Sequence, residues 1–378
     1  MGLRRILASV LALALAGCAS LSREPAPIGH PAATVQGFEK VRLRTFDPEL
    51  MNIVQRNVAR TRAASDKPIS VLALSGGGAE GAFGAGVMAG WTKSGARPEF
   101  QVVTGVSTGA LIAPFAFLGP DWDPKLKEAF AGRQASGLLI PRGLGVLFGG
   151  SVYRGRPLER LIGRYIDDDL LAAVAREDAK GRKLLVATTD IDRQETVIWN
   201  MGAIAAHGGP EARALFRDVL VASAAIPGVF PPKLVSVHDG AAEFQEMHVD
   251  GGVATPFFSV PPSALFWTDR NGLLQRARLY VIINGQVEHA GQTTSPAAAA
   301  VLGRSFDTVE LAVLRSTLDE TKGFCERNGI AFQAAALPAD GGSLGPFDFS
   351  TKNRRRLFRL GERLGASGEA WNLAKPAD

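Results

Sequence analysis

Ser107 lies in Gly105-Val106-Ser107-Thr108-Gly109, a Gly-x-Ser-x-Gly pattern between an apolar run and a helix-like stretch. Glycine on both sides suits a sharp strand-to-helix turn, where a neighbouring Cβ would collide with the flanking elements. Such a turn lifts the hydroxyl above the carboxyl end of a sheet, and the helix that follows aims its first amides at the same point. The chemistry this serves is nucleophilic attack by a serine; the plainer use is a serine that caps a helix. A serine nucleophile needs two accessories, donors for a developing oxyanion and a base for its proton.

Gly76-Gly77-Gly78-Ala79-Glu80-Gly81, after the apolar run Ile69 to Leu74, is a source of donors. Backbone without side chains lets several N–H groups converge on one oxygen, and removing one such donor costs about 3–4 kcal/mol of barrier. The same residues fit the Gly-x-Gly-x-x-Gly of a dinucleotide loop. That use needs an acidic residue roughly twenty positions on, at the end of the second strand. Here that run closes with Val103-Thr104-Gly105, and Glu99 stands at its opposite end. A nucleotide is disfavoured and no cofactor is expected.

For the base, two arrangements stay open on the residues alone. His289 would complete Ser107, Asp250 and His289 in the chain order of an ordinary hydrolase triad. The stronger candidate is Asp250-Gly251-Gly252, directly after the strand-like run Phe244 to Val249. Glycines beside an acid let its backbone approach another loop closely, although a lone aspartate there would be a plain turn residue.

These groups must be held by a core. The chain has 378 residues, 46% of them hydrophobic and 21% charged, with a formal net charge of +5. That balance excludes disorder, and the glycines and prolines show no period of a fibrous or low-complexity chain. Further strands are expected at Phe100 to Val103, Lys183 to Ala187, Thr196 to Trp199, Arg278 to Ile283 and Ile330 to Ala335. Helical spacing marks Glu80 to Trp91, Thr108 to Phe117, Pro157 to Tyr165, Glu211 to Ser223, Thr308 to Leu318 and Arg354 to Arg363. Alternation of the two predicts an α/β chain with a mostly parallel sheet. Two cysteines and five histidines, without a His-x-x-x-His pair, give no expected metal site.

The N-terminus carries Arg4 and Arg5, then an apolar or small-residue run from Ile6 to Gly17. Twelve helical residues rise only about 18 Å, less than a membrane core of roughly 30 Å, so the run reads as a signal peptide over 1–17. Leu15-Ala16-Gly17-Cys18 resembles a bacterial lipobox, which implies cleavage before Cys18 and lipid attachment to it. Ala19 follows where aspartate would favour retention in the inner membrane, so the outer membrane is expected. Residues 18–37 read as a tether, and 38–378 as one domain. Lys352, Arg354, Arg355, Arg356, Arg359 and Arg363 make the C-terminal helix basic. This is either a solvated face or attraction to an anionic membrane surface. Nucleic-acid binding is not expected, since no binding module is visible.

Together, Gly76 to Gly81, Gly105 to Gly109, Ala222-Ser223-Ala224-Ala225-Ile226-Pro227-Gly228-Val229-Phe230-Pro231 and Asp250-Gly251-Gly252 resemble, in order, blocks of the patatin-like phospholipase family. The resemblance spans about residues 69 to 255. It implies a three-layer α/β/α fold and a Ser–Asp dyad, with Ser107 as nucleophile and Asp250 as base. It also implies an oxyanion hole at Gly76, Gly77 and Gly78, and a phospholipid or other lipid ester as substrate. Glu80 departs from the family, which commonly has a cation there, and this weakens the expectation of a phosphate headgroup. The competing class is a non-catalytic envelope lipoprotein that binds acyl chains or a partner on the same fold.

Overall fold

The computed structural model describes residues 23–24 and 33–374, except 46, 48–49, 65–67, 134–136, 144–150, 241, 261, 289–290, 292 and 343–344. The expected signal segment, Cys18 and His289 lie outside the described residues.

The chain begins with two short strands, β1 (Thr34–Val35) and β2 (Arg42–Arg44), and a helix, α1 (Leu50–Ala64). Then β3 (Ser70–Leu74), α2 (Gly81–Lys93), β4 (Val102–Val106) and α3 (Thr108–Leu118) build the region around Ser107. Three helices follow, α4 (Asp123–Ala131), α5 (Arg156–Tyr165) and α6 (Asp168–Ala179). Next come β5 (Lys183–Asp190), β6 (Glu195–Asn200), α7 (Met201–His207), α8 (Gly209–Ser223), β7 (Lys233–Asp239) and β8 (Ala242–Asp250). The last elements are β9 (Arg278–Ile283), α9 (Ala298–Arg327), β10 (Ala331–Ala336) and α10 (Thr351–Ser367).

One sheet runs in the order β1-β7-β8-β5-β4-β3-β9-β10, with β6 joined to β5 and β2. Its centre, β5-β4-β3-β9-β10, is parallel throughout. The strands beyond β5 pair antiparallel. Alternate residues of the parallel strands enter different cores, as a sheet covered on both faces requires. Leu72, Leu74, Tyr280, Ile282 and Ala335 pack with α2, α3 and α10. Ala73, Leu279, Val281, Ile283, Ala334 and Ala336 pack with Leu314, Phe324 and Cys325 of α9. The result is the expected three-layer α/β/α arrangement. No helix among the described residues is long and apolar enough to cross a membrane.

Helices α2 and α10 touch backbone to backbone. A Cβ added to Gly361 would lie 2.1 Å from the Phe83 carbonyl oxygen, and one added to Gly86 would lie 2.1 Å from that of Phe358. With Gly90 and Gly365, each helix carries a glycine pair four residues apart, on one face. This contact fixes α10 against the helix that follows the glycine loop.

Candidate active site

β5 is the ruler of the site. Its residues Lys183 to Ala187 pair with β4, its residues Thr188 to Asp190 pair with β8, and β6 pairs with Leu185 to Asp190. Since a strand has two edges and β6 occupies one, β4 and β8 share the other and meet head to head. The polypeptide leaves β4 at Val106, opposite Ala187, and leaves β8 at Asp250, opposite Thr188. Ser107 and Asp250 are therefore brought together by adjacent steps of one register.

Ser107 has φ 55° and ψ −125°, a conformation costly for a residue with a Cβ and typical of a nucleophile on a strained turn. It is held by packing: a Cβ on Gly109 would sit 2.3 Å from the Leu74 carbonyl oxygen, and one on Gly105 2.6 Å from Ala110 Cα. The Ser107 N–H donates to Ser223 Oγ at 3.0 Å, and Ser223 Oγ donates to the Ala187 carbonyl at 2.7 Å. The Ser107 hydroxyl donates to Asp250 Oδ2 at 2.5 Å, and Asp250 Oδ1 accepts the Gly252 N–H at 2.7 Å. Thr189 Oγ1 donates to the Asp250 carbonyl at 2.9 Å, and the Asp250 N–H donates to the Ala225 carbonyl at 3.0 Å. A Cβ on Gly251 would strike the Ala187 carbonyl at 2.5 Å, so this turn closes only on glycine.

Burial pushes the Asp250 carboxyl up to about 7; hydrogen bonds from Ser107 and Gly252 oppose the rise, and the charge of Glu310 adds to it. An aspartate so placed is a far better proton acceptor at neutral pH than one in water, whose pKa is about 3.9.

The glycine loop reaches the serine, with one difference from expectation. The Gly76 N–H donates to the Pro256 carbonyl at 3.2 Å, so that amide is spent on fixing the loop. Among the described residues, the Gly77 and Gly78 N–H groups have no such partner. Gly77 has φ 147°, open only to glycine, and a Cβ there would lie 1.6 Å from the Asn284 carbonyl oxygen. Asn284 pins the start of the loop: its N–H donates to Ser75 Oγ at 2.8 Å and its side-chain amide to the Ser75 carbonyl at 2.7 Å. Gly81 lies against Thr108, whose Oγ1 would be 2.2 Å from an added Cβ. Thr108 opens α3, so its N–H has no intrahelical partner and is a further donor.

Ser107, Thr108 and Gly78 line a cleft enclosing about 820 Å³, including the part open to solvent. Leu111, Phe115, Leu158, Ile162, Leu220 and Phe230 make its walls apolar. Helix α3 serves both as core, through Ala110, Ile112, Ala113 and Phe117, and as cleft wall, through Leu111 and Phe115. Glu80 precedes α2 without capping it, and its Oε2 turns towards Gly285, 3.5 Å from where a Cβ there would stand. The histidine on β8, His248, is fully buried and contacts Thr188 and Glu246.

Ser223, Thr189, Thr108 and Asn284 were not singled out by sequence. Thr108 had a signal in standing directly after the serine, and Ser223 in its place within the Ala222 to Pro231 block. Thr189 and Asn284 follow apolar runs but carry no local mark.

A family model for patatin-like phospholipase matches residues 72–260, half of the chain and all four of these blocks. The chain belongs to the patatin-like phospholipase family. No curated protein matches it in sequence. Among solved structures, the crystal structure of VipD from Legionella pneumophila is similar, at 10% identity and a TM-score of 0.35. That likeness covers 80% of this chain and 67% of VipD. For this patatin-like phospholipase, family membership points to lipid acyl esters as the general class of substrate.

Proposed function

We propose that this patatin-like chain hydrolyses carboxylic esters of lipids through a Ser107–Asp250 dyad and an acyl-enzyme. The observation that carries the reading is the 2.5 Å hydrogen bond from Ser107 to a buried Asp250, at the edge of an apolar cleft. Ser107 Oγ attacks the ester carbonyl carbon while Asp250 takes its proton. The carbonyl electrons move to oxygen, which the Gly77, Gly78 and Thr108 amides receive at the positive end of α3. Collapse expels the alcohol, which leaves with the proton held by Asp250. Water then gives its proton to Asp250 and attacks the acyl carbonyl, and return of that proton to Ser107 frees the fatty acid.

A fluorophosphonate probe tests this directly. Labelling of the wild type and its loss in Ser107→Ala supports the reading; an unlabelled wild type, with no turnover of any ester in a panel of phospholipids and short-chain esters, refutes it. We further propose that Cys18 anchors the protein by lipid to the outer membrane, a reading supported by the Leu15 to Cys18 pattern. Mass measurement of the mature N-terminus, with Cys18→Ser as control, tests the anchor.

A further inference from the structure

The basic residues of α10 do not surround the helix; they form a ridge. Lys352, Arg355, Arg356, Arg359 and Arg363 are exposed, whereas Asn353, Arg354, Leu357, Phe358 and Gly361 turn inward. The ridge is about 16 Å long at the rise of an α-helix. Arg354 is not part of it, because its guanidinium donates to the carbonyls of Phe349, Phe130 and Gly132 at the end of α4.

Among the described residues, no carboxylate forms an ion pair with the exposed cations of this ridge. Glu362, the acid of α10, lies 2.8 Å from Lys93 and 3.8 Å from Lys127. Arg355 donates to the Ala131 carbonyl, and Arg356 to the Gly342 carbonyl and Asn353 Oδ1, all uncharged acceptors. Asp348, just before the helix, accepts the Ser350 N–H at 2.9 Å. Its carboxyl is held below the usual range chiefly by Ser350, with only a lesser contribution from Arg356.

The ridge starts beside the cleft. Pro346 accepts the Ala79 N–H at 2.8 Å, and Phe349 and Arg354 line the cavity that holds Ser107. Between them Phe347 is 47% exposed, a large apolar side chain facing water. The glycine contacts between α10 and α2 keep the ridge and the glycine loop in one fixed relation.

We infer that Lys352, Arg355, Arg356, Arg359 and Arg363, with Phe347 beside them, dock the protein on a bilayer surface rich in anionic phospholipid and hold the cleft next to it. A row of cations that form no ion pair among the described residues complements such a surface, and an aromatic ring at its edge suits the headgroup boundary. This surface rests on the proposed hydrolase activity only for its use; the binding itself does not.

The test uses the full chain carrying Cys18→Ser, co-floated with vesicles of phosphatidylcholine alone or an equal mixture with phosphatidylglycerol. The apolar N-terminal run is common to every protein compared, so differences between variants report on α10. Each basic residue near the surface contributes about fivefold to partitioning. Replacing Lys352, Arg355, Arg359 and Arg363 with Gln therefore lowers binding to the anionic vesicles by at least about fiftyfold, and high salt does the same to the wild type. Phe347→Ser lowers binding to the anionic vesicles by a smaller factor that salt does not reproduce. Turnover of a soluble short-chain ester stays unchanged in both variants. Equal binding of wild type and the fourfold variant, or equal binding to both vesicle types, overturns the inference. So does tighter binding of the wild type to duplex DNA than to the anionic vesicles. Absence of ester turnover in every protein, with anionic binding retained, refutes the hydrolase reading while supporting this surface.

Discussion

Thr188 and Asp250 face each other across β5 and β8, one step along β5 from the pair formed by Ala187 and Val106. In the proposed dyad the proton acceptor is thus delivered by the sheet, and the Ser107 hydroxyl donates to it directly at 2.5 Å. A two-residue site of this kind requires the acid itself to be a competent base, and its burial meets that requirement. Activity should therefore follow the ionisation of one carboxyl. For a soluble uncharged ester, kcat/KM rises with pH through one inflection near 7, where Asp250 loses its proton, and is level above it. Asp250→Asn removes the inflection and lowers kcat by about 10³-fold. A pH profile of both proteins checks this.

The same burial has a cost in stability. An unfolded aspartate titrates near 3.9, so a folded value near 7 means that the native state binds the proton more tightly. The stabilisation is complete at low pH and is lost as pH rises from about 4 through 7. Asparagine at 250 stays neutral and keeps both hydrogen bonds, donating to Ser107 and accepting from Gly252. The melting temperature of Asp250→Asn relative to wild type should climb by several degrees from pH 5 to pH 8, as thermal melts at the two values would show.

The glycine loop separates folding from catalysis. An added methyl at Gly77 overlaps the Asn284 carbonyl and meets a φ of 147°, so Gly77→Ala lowers the melting temperature and activity together. At Gly76 the methyl finds Ser107 Cβ at 3.2 Å and Oγ at 3.8 Å, with no backbone overlap. Gly76→Ala folds with a near-native melting temperature but loses about tenfold or more in kcat, because the methyl crowds the nucleophile. Melts and kinetics on the two variants give opposite patterns.

What could be read from the chain was local. The runs that became β3, β5 and β9, and the glycines flanking Ser107, announced themselves because parallel buried strands are continuously apolar and sharp turns exclude side chains. The strand β7 was passed over although Val235 and Val237 alternate with exposed neighbours, as an edge-side strand should. Helix α6 was also missed, despite Asp167 capping it through the Leu170 N–H. The stretch Thr308 to Leu318 proved to be the middle of α9, Ala298–Arg327. Its earlier turns expose Val301, Leu302 and Phe306 and so lack a core-facing stripe to betray them. Gly76 looked equivalent to its neighbours in sequence, and only the fold shows its amide committed to Pro256. Register is the part that no local pattern contains: that β4 and β8 meet on one edge of β5 depends on pairings between residues far apart in the chain, such as Val106 with Ala187 and Thr188 with Asp250.

Ser223 links the elbow to the ruler strand, through Ser107 on one side and Ala187 on the other. Its hydroxyl is fully buried, so Ser223→Ala leaves a buried N–H and a carbonyl unpaired at a cost of about 1–3 kcal/mol. The elbow then loses the tie that holds Ser107 in its strained conformation. Urea unfolding should show that loss, and kcat should fall about tenfold with little change in KM, since no cleft wall is altered.

Behind Asp250, on the same strand, Glu246 is 1% exposed and is gripped by Arg42 and Arg44, each at 2.5 Å. Burial alone would raise its carboxyl, but the hydrogen bond from His248 and the charges of Arg42 and Arg44 hold it far below the usual range. A depressed folded value stabilises the native state above the unfolded pKa of about 4.3, and that stabilisation is lost as pH falls below it. Arg44 also has Asp190 and Glu195, whereas among the described residues Arg42 has no other ion pair and keeps the Ala33 carbonyl and the face of Trp199 if Glu246 loses its charge. Removing one partner of so buried a pair leaves a cation uncompensated, so Glu246→Gln should cost about 3–5 kcal/mol at pH 7. Protonation does to the wild type what the substitution does to the variant, and the gap between them must narrow towards pH 3. Urea unfolding of both proteins at the two pH values measures it, and a gap of constant size would show that the Arg42–Glu246 pair contributes nothing through its charge.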